Sequence, residues 1–77
     1  MKDKHLEAFG ATIRRKREEL GISQEDFADL SGLHRTYVGG VERGERNVGL
    51  LSVIRIANGL KIPVSILLQG LDEVSNQ

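Results

Sequence analysis

Two arginines, a threonine and two glycines lie at related helical positions within the stretch HRTYVGGVERG. On a helical wheel, at about 100° per residue, they share one arc, which contains Arg35, Thr36, Gly39, Gly40 and Arg43. Arginine offers forked donors that suit a guanine edge or a phosphate, and threonine can contact a base edge or a thymine methyl group. The arc therefore predicts a surface that contacts nucleic acid.

The two adjacent glycines need an explanation, because each costs about 1 kcal/mol relative to alanine in a helix interior. A helix without side chains at these positions allows a large partner to approach its backbone. The opposite arc contains Tyr37, Val38, Val41 and Glu42 and can dock on the core. The alternative, that the helix frays at Gly39, predicts that this inner stripe stops there. The stripe continues, which favours a helix that fits the DNA major groove, about 12 Å wide.

The spacing of apolar residues predicts five helices joined by short links, which is an all-α bundle. The predicted helices cover residues 4–20, 24–31, 34–43, 50–59 and 63–69. Ser23 and Asp26 form a capping pattern at the start of the second helix. The residues expected to face the core are Leu6, Phe9, Ile13, Leu20, Phe27, Ala28, Leu30, Leu50, Val53, Ile54, Ala57 and Leu60.

A chain of 77 residues predicts one domain, residues 1–77, with a core over 6–71 and a short polar tail at 72–77. The absence of cysteine excludes disulfides and indicates a reducing, cytoplasmic location. The longest apolar stretch, IPVSILLQGL, is shorter than the roughly 20 residues that span a bilayer, so no membrane segment is predicted. Eleven basic and eleven acidic side chains cancel, so DNA binding must depend on where the charges lie.

Enzymatic activity is not expected. The chain has no cysteine nucleophile, and no glycine-rich phosphate loop follows a strand. His5 and His34 have no second ligand at metal-binding spacing, so neither a metal nor a cofactor is predicted. His34 either contacts a phosphate or caps the third helix, and capping is favoured.

The segment LGISQEDFADLSGLHRTYVGGVERGERNVGLLSVIRIANGLKI resembles the helix-turn-helix domain of the lambda-repressor/Cro-like (XRE) superfamily. The likeness covers residues 9–70, and SGLHRTYVGGVERGERNV is most like the small controller proteins of restriction–modification systems. The resemblance implies a compact five-helix fold in which helices 2 and 3 form the helix-turn-helix. It further implies a homodimeric transcriptional regulator that binds a near-palindromic operator in double-stranded DNA and controls its own promoter.

The resemblance also assigns roles to individual residues. Base-contacting positions are Arg35 and Thr36, with Gly39 and Gly40 near the groove floor. Phosphate-contacting positions are Gln24, Tyr37, Arg43, Arg46 and Asn47. Arg17 and Glu42 match a pair that joins helix 1 to helix 3 by a salt bridge. Independently, Glu42 lies at the edge of the inner arc, where an unpaired carboxylate would be penalised.

The C-terminal third has more apolar residues than one small core can bury, which implies burial on two sides. We expect helices 4 and 5 to pack against their copies about a two-fold axis. The predicted dimer residues are Leu51, Arg55, Ile62, Val64, Ile66 and Leu67.

The acidic first turn of helix 2 has two interpretations. In some relatives such a patch contacts RNA polymerase, which makes Glu25 and Asp26 candidates for that contact. The alternative is a solvated acidic turn that complements the helix dipole.

Two alternatives to the controller function remain open from the sequence. One is a phage-type repressor or another small operon regulator. The other is an antitoxin or adaptor whose main partner is a protein, although the segment DEVSNQ is short and polar for holding a toxin.

Overall fold

Helices account for most of residues 3–75, the part of the chain that the computed structural model describes. They are α1 (Lys4–Glu19), α2 (Gln24–Ser31), α3 (Arg35–Glu42), α4 (Leu50–Leu60), α5 (Val64–Leu68) and α6 (Gly70–Ser75). No strand occurs within these residues, and the all-α prediction is confirmed. The predicted fifth helix corresponds to α5. A further helix, α6, covers the predicted tail as far as Ser75; residues 76–77 of that tail lie outside the described residues.

Side chains cap the first two helices at their N-termini. Asp3 accepts hydrogen bonds from the backbone N–H groups of His5 and Leu6, at 2.7 and 3.3 Å. These bonds hold the pKa of the Asp3 carboxyl below its ordinary value of 3.8. Ser23 Oγ accepts from the backbone N–H of Asp26 at 3.0 Å, which confirms the cap predicted for α2.

One apolar core contains side chains from each of the helices α1 through α5, and α1 is its central element. α1 packs against α3, α4, α5 and α6, while α4 packs against α2. The buried apolar residues are Phe9, Ile13, Phe27, Ala28, Val38, Val41, Val53, Ile56, Ala57, Leu60 and Leu67.

Two leucines predicted to face the core are exposed instead. Leu20 is 46 % exposed because it lies at the C-cap of α1, beyond the residues that pack on the core. Leu30 is 58 % exposed because α2 turns Phe27 and Ser31 toward α4.

The inner face of α4 also differs from the prediction. Leu50 and Ile54 are 72 % and 38 % exposed, whereas Ile56, which was not predicted, is 1 % exposed. The physical reason is Gly59, where an added Cβ would lie 2.9 Å from Phe27 Cε1. The missing side chain lets α4 approach α2 along the face that contains Gly59, so the opposite apolar face turns to solvent.

A second close approach joins α1 to α3. A Cβ added at Gly10 would overlap the carbonyl oxygen of Val41 and would lie 2.6 Å from the carbonyl oxygen of Glu42. Only glycine permits this distance between the two backbones. The position of α3 on the domain therefore depends on Gly10.

Within residues 3–75 no single helix has the length and hydropathy needed to cross a membrane. α4 and the segment 64–74 satisfy that test only together, as a pair bent by 108°.

Candidate nucleic-acid interface

α2 and α3 are joined by a tight turn that contains Gly32. Gly32 adopts a left-handed conformation, with φ 73°, which glycine adopts without strain. The backbone N–H of Leu33 then donates to the carbonyl oxygen of Ala28 at 3.0 Å. This geometry ends α2 and turns the chain into α3, giving the two-helix arrangement that was predicted.

α3 is continuous from Arg35 to Glu42, so the alternative that it frays at Gly39 is wrong. Val38 and Val41 are each 2 % exposed and fix the helix on the core. Arg35 and Thr36 are exposed on the first turn, and the side chain of neither makes a hydrogen bond or ion pair within the described residues. Their polar groups are therefore available to an external partner.

The two glycines of α3 are buried, which contradicts the prediction of a bare strip of backbone. A Cβ at Gly39 would lie 3.1 Å from Arg43 Nη1, and a Cβ at Gly40 would lie 3.2 Å from Arg46 Cγ. The two long side chains thus cover the glycines. The helical wheel identified the face of α3 on which the glycines lie. A wheel contains no side-chain conformations, so it could not show that Arg43 and Arg46 cover that face.

Arg43 is held over Gly39 by a residue that the sequence did not single out. Arg43 Nε donates to Glu45 Oε1 at 3.1 Å, and the two side chains are 56 % and 44 % exposed. Glu45 lies two residues beyond Arg43, after the end of α3, so helical periodicity gives no signal for this pair. The carboxylate neutralises one of the cations on the candidate interface.

Arg46 is held by an aromatic ring instead of a carboxylate. Its guanidinium carbon lies 6.0 Å from the centroid of the Tyr37 ring, at the outer limit of a cation–π contact. Arg46 therefore keeps its full charge on the surface above Gly40.

Several of the predicted contact residues surround one depression of about 240 Å³. The residues that line it are Gln24, Arg35, Thr36, Gly39 and Arg43. Two guanidinium groups, an amide and a hydroxyl converge on this depression. Such donors suit the acceptor groups of phosphates and of guanine.

The predicted pair Arg17–Glu42 is confirmed as a bidentate ion pair. Arg17 Nε and Nη2 donate to Glu42 Oε2 and Oε1, at 2.7 and 3.0 Å, and the side chains are only 11 % and 3 % exposed. These bonds raise the pKa of Arg17, against the opposing effect of burial. Arg17 Nη1 also donates to the carbonyl oxygen of Ile22 at 2.9 Å. One side chain thus fastens α1, the loop before α2, and α3.

Gln24 has a structural bond in addition to its predicted role at phosphate. Its Nε2 donates to Glu42 Oε1 at 3.1 Å. An amide nitrogen has two N–H groups, so one remains for an external acceptor. The ion pair therefore orients Gln24 beside the depression.

The remaining predicted residues near this surface occupy different environments. Asn47 is exposed in the loop after α3. His34 is at the N-cap position of α3, but its side chain makes no capping hydrogen bond there, so the capping interpretation is wrong. Glu25 and Asp26 are exposed on the first turn of α2. No group of three metal-binding side chains occurs in the part of the chain described.

The predicted dimer residues fall into two groups. The exposed or half-buried members are Leu51, Arg55, Ile62, Val64 and Ile66. Leu67 is only 1 % exposed, so its predicted place in a dimer interface is wrong. α5 packs against α1 and α4, and Leu67 fills the core there while Ile66, 41 % exposed, faces outward.

Comparison with known proteins identifies the family. The Helix-turn-helix family model HTH_3 matches residues 13–67. Control protein C.SmaI of Serratia marcescens is 48 % identical over 67 residues, which cover 84 % of this chain and 80 % of that protein. The chain belongs to the restriction–modification controller proteins. This family consists of helix-turn-helix transcriptional regulators of the XRE type, which bind DNA and are not enzymes.

Further relatives agree with this membership. Control protein C.BamHI of Bacillus amyloliquefaciens is 39 % identical over 61 residues, 78 % of this chain and 75 % of that protein. The crystal structure of the restriction–modification controller protein C.AhdI from Aeromonas hydrophila superposes with a TM-score of 0.79 at 50 % identity. That comparison covers 80 % of this controller protein and 94 % of the crystallised chain. The comparisons give no support to the phage-repressor or antitoxin alternatives.

Proposed function

We propose that this controller protein binds a near-palindromic operator as a homodimer and regulates the restriction–modification operon that contains its own gene. The observation that carries the proposal is the convergence of Gln24, Arg35, Thr36, Gly39 and Arg43 on one depression beside α3.

Base recognition is assigned to the first turn of α3. Arg35 and Thr36 lie at the N-terminal end of the helix, and their side chains are exposed and have no partner in the part of the chain that the structure describes. In helix-turn-helix proteins the N-terminal residues of the second helix contact base edges. Gly39 and Gly40 come next along the same face. We propose that the DNA major groove approaches the α3 backbone most closely at these glycines, after the side chains of Arg43 and Arg46 have moved aside.

Phosphate contacts are assigned to the residues around this turn. They are Gln24, Tyr37, Arg43, Arg46 and Asn47. Contacts of this kind fix the position of a protein on the duplex but carry no sequence information. The local excess of guanidinium groups offers a reason why a chain with no formal net charge can bind DNA.

Dimerisation is assigned to the outer faces of α4 and α5. Leu50, Leu51 and Ile66 are 72 %, 71 % and 41 % exposed, a set of large apolar side chains that a second copy would cover. A two-fold axis there would set two copies of α3 about 34 Å apart, one turn of DNA. We keep Arg55, Ile62 and Val64 in this interface and leave out Leu67.

Two further parts of the proposal concern the cell. We propose that Glu25 and Asp26, which are exposed on α2, contact RNA polymerase. We also propose a cytoplasmic location, where operator DNA is accessible.

The deciding experiment measures binding to a duplex from upstream of the protein's own gene and to a shuffled duplex, by fluorescence anisotropy at several salt concentrations. Wild type is expected to prefer the upstream duplex. Arg35→Ala is expected to lose about 1–3 kcal/mol on that duplex only, whereas Arg46→Ala weakens both duplexes and flattens the salt dependence. Equal losses on both duplexes for Arg35→Ala would contradict the assignment of base reading.

A further inference from the structure

The three arginines on the candidate nucleic-acid interface differ in the groups that their side chains contact. Arg35 has no internal partner among the described residues, and Arg46 leans on the Tyr37 ring at 6.0 Å. Over residues 3–75, Arg43 is the one of the three that pairs with a carboxylate, that of Glu45, at 3.1 Å. An aromatic ring leaves the charge of its arginine unopposed, whereas a carboxylate cancels it.

The Arg43–Glu45 pair lies where a phosphate is proposed to bind. Arg43 Nη1 is within 3.1 Å of the position that a Gly39 Cβ would occupy, inside the depression shared with Gln24 and Arg35. A carboxylate and a phosphate present the same type of charged oxygen acceptor to a guanidinium group. The Glu45 carboxylate and a DNA phosphate therefore compete for the Arg43 guanidinium. If both bind it at once, the two anions repel each other.

We propose that Glu45 is an affinity-determining residue, an intramolecular substitute for phosphate that lowers affinity for all DNA sequences by the same factor. The inference rests on the proposed function, because it takes Arg43 as a phosphate contact. Base preference is untouched, since it depends on Arg35 and Thr36. Glu45 thereby raises the concentration of controller protein that is needed to occupy half of the operator sites.

The substitution Glu45→Gln tests this with little risk to folding. Glutamine has nearly the same shape and can still accept a hydrogen bond from Arg43 Nε, but it has no charge. Because an exposed ion pair is weak, we expect affinity for operator and shuffled duplexes to rise together, by about two- to fivefold. The dependence of affinity on salt concentration should steepen, because Arg43 then meets the phosphate as an uncompensated cation.

The control is a double-mutant cycle with Arg43→Ala. If Glu45 acts through Arg43, then Glu45→Gln changes DNA affinity by less than about 1.5-fold once Arg43 is alanine. An equal gain in both backgrounds would overturn the inference, because it would indicate general charge repulsion from DNA. A loss of affinity in Glu45→Gln would also overturn it, because Glu45 would then be orienting Arg43 for binding.

Failure of the two ideas can be told apart. If wild type binds the upstream and shuffled duplexes equally, sequence-specific function fails, while the cycle on shuffled DNA still measures the effect of Glu45. The other case is that wild type prefers the upstream duplex, but Glu45→Gln and Arg43→Ala change DNA affinity independently. The proposed role of Glu45 is then wrong, and the proposed function stands.

Discussion

Arg17 and Glu42, separated by 25 residues in the sequence, share two hydrogen bonds of 2.7 and 3.0 Å between α1 and the end of α3. Both groups are largely removed from water, at 11 % and 3 % exposure. A charge left in such a place without its partner is strongly penalised. The pair therefore specifies where the end of α3 docks, and with it the orientation of the candidate nucleic-acid interface.

Removing one partner of this pair should destabilise the fold. Arg17→Ala or Glu42→Ala is expected to lower the free energy of unfolding by about 3–5 kcal/mol, measured by urea denaturation. The double variant Arg17→Met/Glu42→Leu should recover much of that loss, because neither charge remains unpaired. If the double variant loses as much unfolding free energy as the two single variants together, the penalty does not come from an unpaired buried charge.

A matched surface pair provides the control. Arg14 and Glu18 lie one turn apart on α1, at 3.6 Å, with 65 % and 59 % of their side chains exposed. Water screens such a pair, so Glu18→Ala should change stability by only about 0.3–0.5 kcal/mol.

Gly10→Ala should loosen the contact between α1 and α3. The new methyl group would overlap the carbonyl oxygen of Val41, and overpacking of this kind typically costs about 1–3 kcal/mol. Gly70→Ala is the control, because among the described atoms its Cβ would meet only Thr12 Oγ1, at 3.9 Å. Thermal unfolding followed by circular dichroism distinguishes the two, and a Gly10→Ala protein as stable as wild type would refute the close approach.

Gly40→Met should spare folding but weaken DNA binding. The group that faces Gly40 is the side chain of Arg46, with Cγ and Nε each 3.2 Å from an added Cβ, and a flexible side chain can move aside. A residue other than glycine also favours helix by up to about 1 kcal/mol. We expect an unchanged or higher melting temperature together with loss of operator binding in the anisotropy assay. Retained binding would remove this position from the interface.

Leu51→Glu should separate the proposed dimer. Leu51 is 71 % exposed in the single chain, so a charge there is tolerated by the monomer but not inside an apolar interface. Analytical ultracentrifugation is expected to detect dimers of wild type and monomers of the variant. Leu30→Glu, at a leucine that is 58 % exposed on α2, is the control and should remain dimeric. Monomeric wild type at tens of micromolar would exclude the dimer.

Acid should weaken the start of α1. The backbone N–H groups of His5 and Leu6 hold the pKa of Asp3 below its ordinary value of 3.8. A group with a lowered folded-state pKa contributes stability above its ordinary pKa and loses it as pH falls through the folded-state value. The amide resonance of His5, followed by NMR from pH 6 to pH 2, should therefore shift in the acid range below about pH 4. In Asp3→Asn, which keeps an acceptor, this transition should be absent.

The sequence predicted the parts of the molecule in which local pattern and tertiary packing agree. The continuous inner stripe of α3 and the capping serine of α2 depend on residues close together in the chain. The Arg17–Glu42 contact was predictable because its spacing matched a family pattern, and because a carboxylate at the edge of the core needs a partner.

Features that arise from the packing of distant elements were not predictable. Apolar residues cover both sides of α4, so periodicity could not decide whether Ile54 or Ile56 is buried; the close contact between Gly59 and Phe27 decided it. The clash that requires Gly10 depends on the distance between two backbones. The arginine side chains over Gly39 and Gly40 depend on rotamers, which a wheel of Cα positions does not contain.

The side chains of Arg35 and Thr36 are exposed on α3 and contribute no hydrogen bond to the described fold. Exchange of these two side chains should therefore leave thermodynamic stability almost unaffected. Under the proposed base-reading role, a change of this dipeptide alone is expected to retarget the regulator to a new promoter, without any compensating change elsewhere in the fold.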